Sequence, residues 1–294
     1  MFEQTVPKQA VPKQTVPKQT VPDWLTGVWQ RRSIEENGIR DTTTQVTWIQ
    51  TRSRFGDIRI PADRVVAGLA NCFEMEDAVR LVKMSDRNAI ALSKQEGFAG
   101  VTQFTNGHCE WHRSLDYCPP TDQRDQGTLY WEGDMLIEVG PDNSYVEEWQ
   151  RIATGPTAAM TVSRRTGLTA ISKQLVICGD YFIYMCDRRP PLPKNRTLAE
   201  LLETDTTGKI SLQSKQALNC EVSLGRCTNG KMPWEIQQST LPWKEDSCLW
   251  HSPDLSVDRQ NNQVIQTIGE ETVVWDIQEW GALERLLMTQ PAYA

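Results

Sequence analysis

The sequence predicts a mainly β protein made of two antiparallel β-barrels, with one or two short helices and a disordered N-terminal tail. Short runs rich in β-branched and aromatic residues alternate with turn signals such as Asn37-Gly38 and Asn106-Gly107. The runs form two series, 24–155 and 156–294, which divide near the turn-forming stretch 153–157. Closing each series into a barrel would remove its exposed strand edges, and a single large sandwich is the alternative.

The first 23 residues differ from everything that follows. Residues 6–22 repeat a five-residue unit, VPKQ plus one residue, with proline at 7, 12, 17 and 22. Proline removes amide donors and disfavours helix at the residue before it, so we expect an extended, solvated tail. Its lysines are available for a partner, or the tail is a dispensable product of repeat expansion.

Three stretches have helical patterns. Residues 62–84 follow Pro61 and carry apolar residues at helical spacing. Residues 197–204 begin with Thr197, and Glu200 three residues later completes a capping box. Residues 282–288 are a possible C-terminal helix.

Composition excludes several classes of function. The net charge is −7, whereas nucleic acids and anionic membranes attract basic surfaces. No stretch has the length of a membrane-spanning helix, and the N-terminus lacks the apolar region of a signal peptide, so we expect a cytoplasmic protein. The eight cysteines are then expected to be mostly buried thiols and not a disulfide framework. Their spacings match no zinc template, and we predict no metal and no cofactor.

Gly27-Val28-Trp29 opens the first predicted strand, and Arg151 ends the last strand of the first half. Together they resemble the lipocalin-like, or calycin, pattern, in which a GxW tryptophan packs across the closed end of the barrel beneath an arginine. The resemblance covers residues 24–152 and implies a cavity for one small molecule. Proteins of this kind include carriers and also enzymes such as cyclases, hydratases and chromophore lyases.

Residues 107–117 combine histidines, carboxylates and aromatic residues on one predicted strand. A period of two places one set on a single face: His108, Glu110, His112, Ser114 and Asp116. The opposite face would carry Cys109, Trp111, Arg113, Leu115 and Tyr117. His108 and His112 would be about 13 Å apart on a strand, too far to share one metal ion.

Two interpretations of this strand stay open. Either the histidine and carboxylate face is solvated, or it lines a cavity where Glu110, His112 and Asp116 act as catalytic acids and bases. In the first case Arg113 lies on the core face and needs a carboxylate, such as Glu147 or Asp57.

A last strand adds more candidates, because Tyr145, Glu147, Trp149 and Arg151 share one face. A buried pair of Glu147 with Arg113 or Arg151 is one hypothesis, and a carboxylate clamp is another if one arginine is free. Asp57 and Arg59 are expected to form a surface pair. The predicted ligand-binding residues are Trp111, Arg113, Tyr117, Tyr145, Glu147, Trp149 and Arg151.

The leading functional hypothesis is a cytoplasmic protein that binds an aromatic or largely apolar small molecule in a barrel. A second is an enzyme, such as a cyclase, isomerase or lyase of pigment or secondary metabolism, which requires Glu110, His112 and Asp116 to point inward. A third is a protein interaction module, which predicts barrels filled by side chains.

Overall fold

The computed structural model describes residues 21–64, 77–162, 171–188, 191–202, 204, 207–250 and 255–281. Strands dominate, as the sequence predicts, and they form two antiparallel sheets. The first sheet uses strands within 27–153 and the second uses strands within 157–279. That each half is a separate domain stays a prediction, as does the sequence interpretation of the N-terminal repeat, which lies outside the described residues.

The first sheet is a closed barrel of eight strands with a short ninth strand attached. Strand β1 pairs with β3 on one side and with β9 on the other, which closes the circle, and β2 forms a hairpin with the far end of β1. The strands are β1 Gly27–Glu36, β2 Ile39–Asp41, β3 Gln45–Gln50, β4 Phe55–Ile60, β5 Glu96–Thr105, β6 His108–Asp116, β7 Gln126–Glu132, β8 Met135–Val139 and β9 Tyr145–Ala153.

The second sheet has eight strands in the order β14-β13-β12-β11-β10-β17-β16-β15. Its closure into a second barrel, which the sequence predicts, stays a prediction. The strands are β10 Thr157–Val162, β11 Lys173–Cys178, β12 Tyr181–Cys186, β13 Glu221–Arg226, β14 Glu235–Ser239, β15 Leu255–Asp258, β16 Gln263–Ile268 and β17 Glu271–Glu279.

The described residues contain four short helices, more than the one or two that the sequence predicts: α1 Asp77–Lys83, α2 Asp86–Leu92, α3 Leu198–Leu201 and α4 Leu212–Gln216. The capping box predicted for α3 is present, because Thr197 and Glu200 bond reciprocally. Of the predicted helix 62–84, residues 62–64 are not helical and α1 lies at the other end, while 65–76 are outside the described residues. The predicted helix 282–288 is outside them as well.

The outer wall of the barrel packs directly on the second sheet. Ile58 of the barrel and Ile183 of β12 are buried in one apolar cluster that both sheets share. Gly56 makes this close approach possible, because a Cβ there would lie 2.9 Å from the Ile183 side chain. Gln174 of β11 also donates a hydrogen bond of 2.6 Å to the Phe55 carbonyl. The two sheets therefore share a core, separate from the core inside the barrel.

Candidate functional site

At one end of the barrel, here called the floor, Arg151 lies over Trp29, the tryptophan of the GxW motif. Trp29 is fully buried, and its Nε1 donates to the Leu25 carbonyl at 2.9 Å. The Arg151 guanidinium carbon lies 5.2 Å from the Trp29 ring centroid, and Arg151 donates to the Trp24 carbonyl at 2.8 Å. An arginine thus covers the GxW tryptophan, where a cation–π contact and a hydrogen bond seal the end of the barrel. Arg151 lies at this floor, away from the polar residues of the opposite end.

Strand β6 does not keep a single alternation along its length. A bulge opposite Gly100 inserts Ser114, and it changes which residues face the barrel interior. A Cβ at position 100 would collide with the His112 carbonyl, so the strand opposite the bulge requires glycine there. Cys109 and Trp111 belong to the interior core, whereas Leu115 and Tyr117 belong to the core between the sheets. The prediction that one face holds all of Cys109, Trp111, Arg113, Leu115 and Tyr117 is therefore wrong.

Tyr117 lies outside the barrel, in the core between the two sheets. Its hydroxyl donates to the Leu92 carbonyl at 3.0 Å, and the Arg188 guanidinium donates to its backbone carbonyl. Burial raises the pKa of its phenol well above the ordinary value. The ring joins helix α2 to the second sheet and does not reach the barrel interior.

Glu110 and His112 lie on the outer side of β6, opposite in phase to Cys109 and Trp111. Arg124 donates to both oxygens of Glu110, at 2.9 and 2.8 Å. His112 Nε2 lies 3.8 Å from Glu110 Oε1, and the His112 side chain is 40% exposed. These two residues therefore do not face the barrel interior, which their proposed catalytic role requires.

At the end opposite the floor, here called the mouth, charged side chains fill the barrel. Arg31 donates to Glu147 at 2.7 Å, and both side chains are almost inaccessible, at 6% and 2% exposure. Arg59 bonds Asp57 at 2.9 Å and reaches Glu147 at 3.5 Å. The predicted pairs of Glu147 with Arg113 or Arg151 are wrong, because β1 and β4 supply its arginines.

Asp57 and Arg59 are also not the surface pair that the sequence suggests. Asp57 is only 3% exposed, since β4 turns this face toward the barrel interior. Burial raises the pKa of Asp57 to about 6, although the adjacent Arg59 guanidinium opposes the shift.

A second group of charges at the mouth surrounds Arg113. Its guanidinium carbon lies 3.5 Å from the Phe98 ring centroid, and its nitrogens bond Asp125 at 2.8 Å and Asp116 at 3.2 Å. The sequence predicts that Arg113 points inward and needs a carboxylate partner, with Glu147 and Asp57 as candidates. The observed partners are Asp125 and Asp116 instead. Asp125 precedes β7 in a loop and could not be placed without the fold. Asp116 faces the mouth because of the bulge.

Glu138 of β8 is a buried carboxyl at the mouth without a cationic partner in the described chain. It is 5% exposed, and it accepts hydrogen bonds from the Tyr145 hydroxyl at 2.8 Å and from Trp149 Nε1 at 3.1 Å. Within the described chain, no Lys, Arg or His nitrogen lies at ion-pair distance from it. Burial, and then the negative charge of Glu147, raise the pKa of Glu138 well above its ordinary value.

Sequence reasoning missed Glu138, although a signal was present. In the run Met135–Val139, Glu138 has the same strand phase as Leu136, a residue of the interior core. A carboxylate in phase with a core leucine is a candidate interior acid. The predicted inward placement of Tyr145, Glu147 and Trp149 agrees with the structure, and all three lie near Glu138.

Between the aromatic core and the mouth charges lies a cavity of about 20 Å³. Its volume admits one water-sized group, far less than the several hundred Å³ of sites for larger ligands. The Trp48 Nε1 is buried in its wall without a hydrogen-bond partner. The lining residues are Trp48, Phe55, Asp57, Arg59, Phe98, Trp111, Asp125, Glu138 and Trp149.

No two cysteines in the described part of the chain form a disulfide. There, Cys109, Cys118, Cys178, Cys186, Cys220, Cys227 and Cys248 are all free thiols. The same part of the chain contains no group of three or more His, Cys, Asp or Glu side chains arranged to hold a metal ion. None of its helices is long and apolar enough to cross a membrane.

Comparisons with known proteins place few limits on the function. No family model matches the chain, and no curated protein matches it. A crystal structure of an uncharacterized protein from Saccharomyces cerevisiae is similar, with a TM-score of 0.49 and 10% sequence identity. The similarity covers 86% of this chain and 98% of that chain.

Proposed function

We propose that this protein binds a small molecule at the mouth of the first barrel, and that the ligand carries an amino group on an aromatic or largely apolar body. The observation that carries the proposal is Glu138, a buried carboxyl with no cationic partner in the described chain. Buried carboxyls without a cation are costly, so their presence at a cavity marks a functional candidate.

The charges at the mouth favour a cation over an anion. Carboxyls outnumber guanidiniums there, and each arginine already bonds a carboxylate. An ammonium group would supply the missing partner of Glu138, whereas a carboxylate would add to the repulsion between Glu138 and Glu147. The groups counted are Asp57, Asp116, Asp125, Glu138 and Glu147 against Arg31, Arg59 and Arg113.

The size and walls of the cavity suit an ammonium head. A volume of about 20 Å³ admits one such group, and Trp48, Trp111 and Trp149 give the cavity aromatic walls. The body of the ligand would then lie at the mouth beside Arg59 and Arg113, whose side chains are 21% and 30% exposed. The lipocalin-like character of the barrel, inferred from Trp29 and Arg151, supports a carrier by analogy of fold only.

Calorimetric titration with benzylamine tests the proposal, with the uncharged benzyl alcohol titrated in parallel. We expect benzylamine to bind with a Kd of ~1 mM or tighter, and Glu138→Gln to weaken it at least about tenfold. Affinity should rise with pH through the titration of Glu138, because the ammonium binds the ionised carboxylate. Native mass spectrometry of protein from its own host would identify a retained amine.

Glu148→Gln is the matched control, since Glu148 is the outward neighbour of Glu147 and pairs with Arg40 at the surface. It should leave benzylamine affinity unchanged. Equal affinity of benzylamine for the wild type and Glu138→Gln would refute the proposal.

A protein interaction module is the second candidate, because aromatic side chains pack the interior of the barrel and the cavity described among them measures about 20 Å³. Absence of binding by any amine would favour this function. No observation favours an enzyme that uses Glu110 and His112, since both lie outside the barrel.

A further inference from the structure

The second sheet carries a separate cavity of about 220 Å³ at one end of its apolar core. Neighbouring strands place Lys173, Cys186 and Glu221 in one cross-strand row at this end. Val162, the partner of Lys173 across β10 and β11, belongs to the core of the same face. The row therefore forms the rim of the cavity above that core.

Aromatic residues form the inner part of this cavity. The rings of Tyr184 and Trp250 both line it and lie edge to face, with centroids 6.5 Å apart. Gln266 also lines it, and its Oε1 is already used by Trp275 Nε1 at 3.0 Å. The complete lining is Lys173, Tyr184, Glu221, Ile236, Lys244, Ser247, Cys248, Leu249, Trp250, Gln266 and Ile268.

The two lysines that line the rim differ in their ion pairs. Lys244 bonds Asp77 at 3.1 Å. In the described part of the chain, Lys173 has no ion pair, and it is half-buried. Glu221 accepts a hydrogen bond from Ser223 at 2.8 Å, and burial raises its pKa against the opposing charges of Lys244 and Lys173, which weakens it as a competing anion.

We propose that this cavity binds a small aromatic carboxylate, with its ring on Tyr184 and Trp250 and its carboxylate on Lys173. One ammonium without an ion pair in the described chain matches a single negative charge, whereas a phosphate dianion would need a second such cation. The volume is below the range of drug-sized ligands and suits a single ring. This site is independent of the amine site in the first barrel and has the opposite charge preference.

Benzoate is the probe, and benzyl alcohol is its uncharged counterpart. We expect benzoate to bind with a Kd of ~1 mM and to quench tryptophan fluorescence, while benzyl alcohol binds about tenfold more weakly. Lys173→Gln should weaken benzoate about tenfold, and added salt should weaken it further in the wild type. Benzylamine binding should not change in this variant.

Lys231→Gln is the matched control, because Lys231 lies on the same half of the chain, is 75% exposed and pairs with Asp246. It should bind benzoate like the wild type. Equal benzoate affinity in Lys173→Gln and wild type, or equal affinity of benzoate and benzyl alcohol, would overturn the proposal. Unchanged benzoate binding by Glu138→Gln would show that the two sites are separate.

Discussion

Replacing Glu147 with glutamine should destabilise the protein through the Arg31 guanidinium. Arg31 and Glu147 are 6% and 2% exposed and lie 2.7 Å apart, so the substitution leaves a buried cation without its main partner. Breaking a buried pair costs about 3–5 kcal/mol. Asp41 lies 3.6 Å from Arg31 and remains, which places the expected loss near the lower value, about 3 kcal/mol.

A second effect of this change acts on Glu138. Removing the Glu147 charge removes a cause that raises the pKa of Glu138, so that pKa should fall toward its ordinary value. The carboxylate would then ionise at lower pH in the variant. Its signal in NMR or infrared difference spectra can follow this shift directly.

Urea unfolding followed by tryptophan fluorescence measures the loss of stability. Glu148→Gln is the control, because the Glu148–Arg40 pair has exposures of 34% and 51% and should contribute about 0–1 kcal/mol. A double-mutant cycle with Arg31→Met isolates the pair. The reasoning fails if Glu147→Gln costs no more than Glu148→Gln, or if the cycle finds no coupling.

Three further changes have defined outcomes. Arg151→Met should cost about 1 kcal/mol in urea unfolding, because Trp29 loses its cation and the floor loses a hydrogen bond. Gly97→Val should cost about 1–3 kcal/mol, since even a Cβ there lies 2.9 Å from Val222 of the second sheet; a stability equal to wild type would contradict this packing. Asp57 should make stability fall as pH rises from about 4 to about 6, because its folded pKa of about 6 exceeds the unfolded value of 3.8 and only the folded state keeps the proton in that window. Asp57→Asn should flatten that part of the pH profile, which unfolding at several pH values can measure.

Much of the local structure could be read from the sequence. The first strand, its Trp29 and the covering Arg151 follow from a short motif and its expected partner. The capping box of Thr197 and Glu200 needs only residues three apart. Period-two alternation also places Tyr145, Glu147 and Trp149 on the interior face of β9.

The candidate site was predicted only in part. Arg113 and Glu147 were expected inside, but their partners are Asp125 and Arg31, which are brought by other strands and loops. The catalytic interpretation of Glu110 and His112 assumed an inward face that β6 does not give them. The alternation of β8 alone would place Glu138 inside the barrel, because it has the phase of the core residue Leu136.

The sequence by itself determined the mainly β class, the approximate strand positions and the residues that seal the barrel floor, because these depend on alternation, turns and short motifs. Only the tertiary structure decided which charges meet at the mouth and which core Tyr117, just after β6, joins. A single bulge at Ser114 reverses the alternation, and ion-pair partners depend on strands far apart in sequence. Strand register and closure of the barrel are set by contacts across the whole fold, so local patterns cannot specify them.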